Sequence, residues 1–434
     1  MDYKINMPEE VEEALNILNE AGYDSYIVGG CVRDSVLNVV PKDWDITTSA
    51  LPTQIIKCFN KFRTIETGLK HGTVTVIINK IQLEITTFRV DGEYKDNRRP
   101  DEVFFTNNIS LDLRRRDFTI NAMAYNPKDG IVDLNGGFED IKNKQVKCVG
   151  NPDKRFNEDG LRILRALRFA SVLNFKIEEE TSRSIHINKE LLKNISAERI
   201  RVEFDKLILG VNFYDILNDY KDVIEIFIPE INKLSANQYH HSLKSMKYIS
   251  EDLVLKLALF FHEIVKTETE IQDENTKLKF ELVKNILKRL KYDNVTMNEL
   301  STIILHVNIK LSTNKKDIKK CLNIMGENIF KQIIKVKIAH TYQQGSTGIV
   351  ENVDNFVENL EKVTFFVDKV IKEKECYNLK TLAVKGEDLK KVGVKQGILI
   401  GKILNELLNL VINEELENDK DKLINYVKNN VDKI

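Results

Sequence analysis

Between residues 23 and 150 the apolar positions come in short runs: YDSYIVGG, GTVTVIIN, IQLEITTFRV, VFFT, GIVDLNGG and QVKCVG. Each is rich in Val, Ile or Thr and bounded by turn residues, a pattern that predicts strands. Helical spacing flanks them, in MPEEVEEALNILNEAG before the first run and in LPTQIIKCF after Asp45. From about residue 153 onward the pattern changes. LRILRALRFAS, ELVKNILKRLK, DIKKCLNIM and GKILNELLNLVI repeat apolar residues at three- and four-residue steps, which predicts amphipathic helices. The expected fold class is therefore α+β, a head with a small mixed sheet followed by an all-α remainder. Asn151-Pro152-Asp153 marks the change, because proline and its neighbour resist helix continuation.

Composition narrows the class without naming a partner. A chain of 434 residues has room for two to four domains, and 42% hydrophobic with 30% charged residues is a globular profile. No apolar run reaches the ~18 residues of a membrane-spanning helix, so no membrane partner is expected. The first residues, MDYKINMPEEVEEAL, lack the pattern of a signal peptide. Cys31, Cys58, Cys148, Cys321 and Cys376 occur singly, which favours a reducing, cytoplasmic setting over zinc clusters or disulfides. Net charge is −1, from 65 basic and 66 acidic side chains, so the average does not announce a nucleic-acid binder. Arginines are nonetheless concentrated at 98–99, 114–116, 155, 162, 165 and 168, and a local patch can hold phosphates. Oligomeric state is left open.

Four blocks carry candidate chemistry. Gly29-Gly30-Cys31-Val32-Arg33-Asp34 follows the run SYIV, and two glycines at a strand-to-helix turn let backbone amides approach a phosphate. Arg33, one turn on, can pair with phosphates. An ordinary tight turn looks the same, so the weight comes from Lys42-Asp43-Trp44-Asp45 a little downstream. In extended chain Asp43 and Asp45 point to one side, and paired carboxylates suit Mg²⁺, which also takes substrate phosphates as ligands. Two such ions can activate a hydroxyl and stabilise leaving pyrophosphate. A third acid is wanted nearby. Glu84, in LEITTF, sits on a convincing strand, but alternation leaves its face undetermined between the metal site and solvent.

Arg114-Arg115-Arg116-Asp117-Phe118-Thr119-Ile120-Asn121-Ala122 sets three guanidiniums side by side. They repel unless something anionic compensates them, and a triphosphate or RNA backbone would do so. Asp117 would be free to accept from a ribose hydroxyl, while Phe118, Ile120 and Ala122 anchor the segment in a core. The last block is EDGLRILRALR from Glu158. If helical throughout, it sets Asp159, Arg162 and Arg165 on one polar ridge, with Leu161, Leu164 and Leu167 behind. A surface salt-bridge ladder has the same spacing.

In order, GGCVRD, KDWDITT, TGLKHGTVTV, RVDGEYKDNRRP, RRRDFTINA and EDGLRILRALRFA resemble the class II tRNA nucleotidyltransferase and poly(A) polymerase family over roughly residues 23 to 172. A weaker likeness returns in GEDLKKVGVKQGILIGKILNEL. The resemblance implies a catalytic head (1–150), helical neck (151–205), body (206–360) and tail (361–434). It implies Asp43 and Asp45 as catalytic Mg²⁺ ligands, while Glu84 stays a candidate third catalytic acid on the reading of its strand alone. Gly29, Gly30 and Arg33 would take the triphosphate, and Arg116 and Asp117 the nucleotide and its ribose. The helix bearing Asp159, Arg162, Arg165 and Arg168 would read the incoming base. The implied partners are CTP, ATP and the 3′ end of tRNA.

That base-reading role has an independent chemical basis. A carboxylate only accepts hydrogen bonds and a guanidinium only donates. Cytosine and adenine each present an exocyclic amine beside a ring-nitrogen acceptor, whereas uracil and guanine put a carbonyl where the amine should be. Within the family, Thr67–Gly72 resembles the CCA-adding branch rather than the poly(A) polymerases. An intact loop over 89–100 is absent from CC-only enzymes, and an enzyme adding only A keeps it. Many relatives also carry an HD-type phosphohydrolase domain. Here QYHHSLKSM and LALFFHEIVK stand in that stretch, with Glu263 in place of the aspartate, so His240, His241 and His262 read as degenerate. A hydrolase acting there and a non-catalytic helical RNA-binding protein are the readings of other classes.

Overall fold

Three features of the first helix show how the chain begins to fold. Val11, Ala14, Leu15 and Leu18 are buried at helical spacing, acids fill the first turn, and Pro8 stands just ahead, so Glu9–Glu20 forms helix α1. The computed structural model describes residues 3–92, 102–269, 276–346, 348–349 and 351–430. The chain divides into two compact units, Met1–Pro229 and Glu230–Ile434. Among the described residues no helix is long and apolar enough to cross a membrane.

Among its described residues the first unit has eleven strands: β1 Ser25–Val28, β2 Asp45–Thr48, β3 Arg63–Ile65, β4 Thr73–Ile78, β5 Ile81–Thr87, β6 Arg89–Asp91, β7 Val103–Phe105, β8 Met123–Asn126, β9 Gly130–Asp133, β10 Gln145–Val146 and β11 Lys176–Ile177. Seven form one mixed sheet in the order β3-β4-β5-β2-β1-β8-β9, and β6 and β7 form a separate hairpin. Most pairs are antiparallel, but β2 and β5 run parallel, with Asp45 opposite Glu84 and Ile46 opposite Ile85. The helices in this part are α2 Gly30–Val36, α3 Pro52–Cys58, α4 Ile109–Arg114 and α5 Gly137–Lys142. The apolar runs locate β1, β4, β5, β7, β9 and β10. Strands β2, β3 and β8 escape that reading because DITT, RTI and MAYN are short. All four residues of β8 are buried, so it shows no alternation.

Asn151 and Pro152, where the pattern changes, open a helix. The Asn151 side chain accepts from the Lys154 amide, and Pro152 takes the first helical position of α6, Pro152–Glu158. Helices α7 Leu161–Leu173, α8 Glu179–Asn188 and α9 Ala197–Leu209 follow, with Leu161, Leu164 and Leu167 of α7 buried as expected. Strand pairing does not end at residue 153. Lys176–Ile177 pairs in parallel with Gln145–Val146, because Asn174 turns left-handed (φ 55°) after α7 and brings the chain back.

The second unit is helical among its described residues, from Ala236–Met246 to Lys420–Asn430. The segment Lys315–Ser346 is broken at Gly326, whose φ of 76° only glycine adopts readily. Toward the C-terminus Ile403, Leu407, Leu408, Val411 and Ile412 pack with Leu382, Val384, Leu389, Leu423 and Val427 in a core of their own. The histidine-bearing segments belong to this unit. His262 and Glu263 are buried, and His241 Nε2 lies 3.3 Å from His340 Nδ1.

Candidate active site

The site forms where three chain segments meet at one end of β2. Strand β1 ends at Val28, and Gly29 turns into α2 with φ 82° and ψ −128°, a conformation that favours glycine. A Cβ there would stand 3.3 Å from Arg116 Nη1, so the turn and the arginine segment are in close approach. Strand β2 is antiparallel to β1, with Ile27 opposite Ile46, which brings Asp45 beside the turn. The Cys31 thiol lies 4.0 Å from the Asp45 carbonyl oxygen. Burial pushes that thiol up to about 11, too high for a nucleophile at neutral pH.

Asp43, Asp45 and Glu84 are exposed, while Trp44 between the first two is buried. That alternation places both aspartates on one side, although Asp43 lies just before the strand rather than in it. Glu84 is the register partner of Asp45, so the pairing of β2 with β5 brings it to the same place. The Asp45 carboxyl is raised above the usual carboxylate range, first by removal from water and then by Glu84 and Asp43, with Arg116 opposing. Three acids crowd here.

Arg116 does not stand in an uncompensated run. Asp112, fully buried on α4, holds Arg115 at 2.8 Å and Arg116 at 3.2 Å, and also receives Thr47 Oγ1 and the Arg89 amide. Burial acts to raise this carboxyl, but the two guanidiniums win and hold it below its ordinary value. Asp112 is therefore the internal anion of the arginine segment. Its signal was in SLDLRRRD all along, as an acid three and four residues before two arginines.

Asp117 corrects an expectation. It is not free for a ribose hydroxyl, because Arg165 Nε and Nη2 both donate to its Oδ2 at 2.8 and 2.6 Å, and the Phe118 amide donates to Oδ1. Asn121, unremarked in the sequence, joins this group to the turn. Its Oδ1 accepts from Arg33 Nη1 at 2.6 Å, and its amide donates to Asp117 at 3.3 Å. Arg33 is also held by Asp34 at 2.6 Å. The guanidiniums of Arg33, Arg165 and Arg168 lie 5.1, 5.4 and 4.0 Å from the ring centroid of Phe169. Arg168 pairs with buried Glu203 at 2.7 Å.

The Asp117–Arg165 pair has a pH signature. Burial acts to raise the Asp117 carboxyl, but Arg165 and the hydrogen bonds offset this and hold it down at about 2. A depressed carboxylate contributes stability above its unfolded value near 3.9, and that contribution is lost as pH falls toward 2. The gap corresponds to about 2 kcal/mol. Urea unfolding of the parent and of Asp117→Asn across pH 6 to 2 should show their stability difference shrinking by most of that amount. Parallel pH profiles would sink the assignment.

Asp159 corrects a second expectation. Helix α6 stops at Glu158, and Asp159 is extended (φ −141°, ψ 103°), so it does not share a helical ridge with Arg162 and Arg165. Its Oδ1 accepts from the Leu161 amide and its Oδ2 from Arg199 Nη2 at 3.0 Å. Arg162 pairs with Glu158 at 2.7 Å and donates to the Arg155 and Arg115 carbonyls, which ties α7 to the arginine segment. The segment 93–100 of the loop read as a family mark lies outside the described residues.

Three family models match the chain. They are the poly A polymerase head domain over 25–147, the RNA- and SrmB-binding site of polymerase A over 174–234, and tRNA nucleotidyltransferase domain 2 over 275–427. A CCA-adding enzyme of Ligilactobacillus salivarius is 36% identical over 430 residues, covering 98% of this chain and 97% of its own. One from Enterococcus faecalis is 34% identical over 427 residues, covering 97% of each. Among solved structures, a Bacillus stearothermophilus CCA-adding enzyme in complex with CTP superposes with a TM-score of 0.72 at 27% identity, covering 99% of this chain and all of that one.

Proposed function

This chain belongs to the CCA-adding enzyme family, and we propose that it adds C, C and A to the 3′ end of tRNA from CTP and ATP, releasing pyrophosphate. The observation that carries the reading is the convergence of Asp43, Asp45 and Glu84 beside the Gly29 turn and Arg116. Phosphoryl transfer needs anionic ligands for a metal next to cationic and amide donors for a triphosphate, and these are the two halves of that pairing. The four-part division into head, neck, body and tail belongs to the same proposal.

The donor set fits Mg²⁺. Among the described residues no three His, Cys, Asp or Glu side chains form a ready-made metal cage. Mg²⁺ is typically held by one or two carboxylates with waters and substrate phosphates, which Asp43 and Asp45, with Glu84 alongside, can supply. Bound there, the metal would lower the pKa of the attacking 3′ hydroxyl and neutralise charge on the triphosphate. Gly30 offers its backbone amide to the triphosphate, with Arg33 and Arg116 as its cations, whereas the Gly29 amide, expected to share that role, donates to the Met123 carbonyl at 3.1 Å and serves the turn. Asp117 acts by fixing Arg165, and Arg168 completes the arginine face over Phe169.

Base choice falls to Asp159 with Arg162. The two donors on Asp159 leave half of its lone pairs for the amine at C4 of cytosine or C6 of adenine, a position where uracil and guanine carry a carbonyl instead. Substituting Asp159→Ala or Arg162→Ala should raise incorporation of UTP and GTP relative to CTP and ATP by about tenfold or more, with a smaller change in the KM for CTP. The measurement is single-nucleotide incorporation into a tRNA transcript lacking its 3′ end. Discrimination surviving both substitutions would move the base-reading site elsewhere.

A further inference from the structure

A second cationic site lies on the other side of the arginine segment. Consecutive residues there serve different neighbours. Arg116 abuts the Gly29 turn, whereas Arg114 and Arg115 line a cavity of about 580 Å³ with Lys154, Arg155 and Val90. The two acids of its wall are engaged by arginines. Arg115 stands 3.8 Å from Asp91, and Arg155 and Arg162 stand 2.6 and 2.7 Å from Glu158. Arg114 and Lys154 are exposed, and among the described residues their side chains have no partner. The cavity thus holds two uncompensated cations.

An aromatic ring stands at its edge. Val90, which lines the cavity, is the register partner of Phe104 across the β6–β7 hairpin, so both side chains are on one face. Phe104 is 57% exposed, and its Cε2 lies 3.4 Å from where a Cβ on the lining residue Gly92 would be. A solvated phenyl ring beside unpaired cations is the pairing that binds single-stranded nucleic acid, with bases stacking on the ring and phosphates meeting the cations.

We propose that this cavity is a subsite for the single-stranded 3′ segment of the RNA, with Phe104 stacking one base and Arg114 and Lys154 each holding a backbone phosphate. The inference rests on the reading of the chain as an enzyme that extends an RNA end. A second nucleoside triphosphate fits less well. It would arrive with a divalent cation, and Asp91 and Glu158, the acids that could meet that cation, are already held by arginines.

The test is direct binding, without turnover, of two RNAs: a tRNA ending in CC and the same tRNA trimmed back to its acceptor-stem base pairs. For the intact end, the double variant Arg114→Gln/Lys154→Gln should flatten the slope of log affinity against log salt by about 1.4, the value for two phosphates of a single strand. Phe104→Ala should weaken binding about tenfold with the slope unchanged. Neither change should alter binding of the trimmed RNA, and CTP affinity should stay within about twofold of the parent, which also reports an intact fold. Equal losses on both RNAs, unchanged binding of the intact end, or a loss confined to CTP would each overturn the subsite. If the parent protein bound neither RNA, the polymerising function itself would fall, and the subsite with it.

Discussion

Replacing Asp45 with alanine should abolish nucleotide addition while leaving the fold in place. Asp45 is exposed at the start of β2, and its carboxylate is crowded by Glu84 and Asp43, which with the loss of water raise it above the usual range. Removing a carboxylate that its neighbours repel costs the fold little, so the melting temperature of Asp45→Ala should equal or slightly exceed that of the parent. The catalytic cost is of another order. A lost metal ligand at the reacting phosphate should lower kcat by at least about 10³-fold, about 4 kcal/mol of transition-state stabilisation. Asp43→Ala should behave alike. Single-turnover incorporation of labelled CTP at saturating Mg²⁺ checks both, and either variant retaining near-parent rates would remove the acids from the chemistry. Glu84→Gln is the finer probe, because its place opposite Asp45 gives it a role only if the register has brought it to the metal.

The largest structural effect is expected at Asp112. Its buried carboxylate is the shared partner of Arg115 and Arg116 and receives Thr47 and the Arg89 amide besides. Asp112→Ala takes from two largely buried guanidiniums their shared anion and leaves only the longer Arg115–Asp91 approach at 3.8 Å, a loss of about 3 kcal/mol or more. For a unit of this size that lowers the melting temperature by about 6–12 °C. Because Arg116 also abuts the Gly29 turn, the KM for CTP should rise in whatever protein remains folded. Calorimetry and initial rates at low temperature separate the two consequences. A melting temperature within about 2 °C of the parent would show that the arginine segment is held by something other than Asp112.

What could be read in the chain before folding divides along a physical line. Helices with a long apolar face, such as α1 and Ile398–Ile412, declare themselves through repetition. The placement of Asp43 and Asp45 on one side follows from local geometry, with Trp44 turned inward between them. Glu84 is different, since its position depends on parallel pairing between strands distant in the chain, which alternation within one strand cannot encode. Asp117 was misjudged for a related reason, since it looked available because its partner Arg165 arrives from a helix far along the sequence. Asp159 fits a helical ridge by spacing alone, but the helix ahead of it stops at Glu158. Asp112 was overlooked although its signal was local, because three adjacent arginines suggested an external anion. Asn121 gave no signal at all, since an asparagine bridging Arg33 to Asp117 looks like any other turn residue until the sheet forms.

The central claim is that these groups build one defined sequence, C then C then A, and then stop. The most direct measurement is sequencing of the products made from all four triphosphates on two substrates, a tRNA ending before CCA and a tRNA already ending in CC. The expected result is CCA on the first and a single A on the second, with no further extension. Long A-tails on either substrate would make the protein a poly(A) polymerase. Extension of the CC-ending substrate alone would make it an A-adding enzyme, and either outcome would contradict the account.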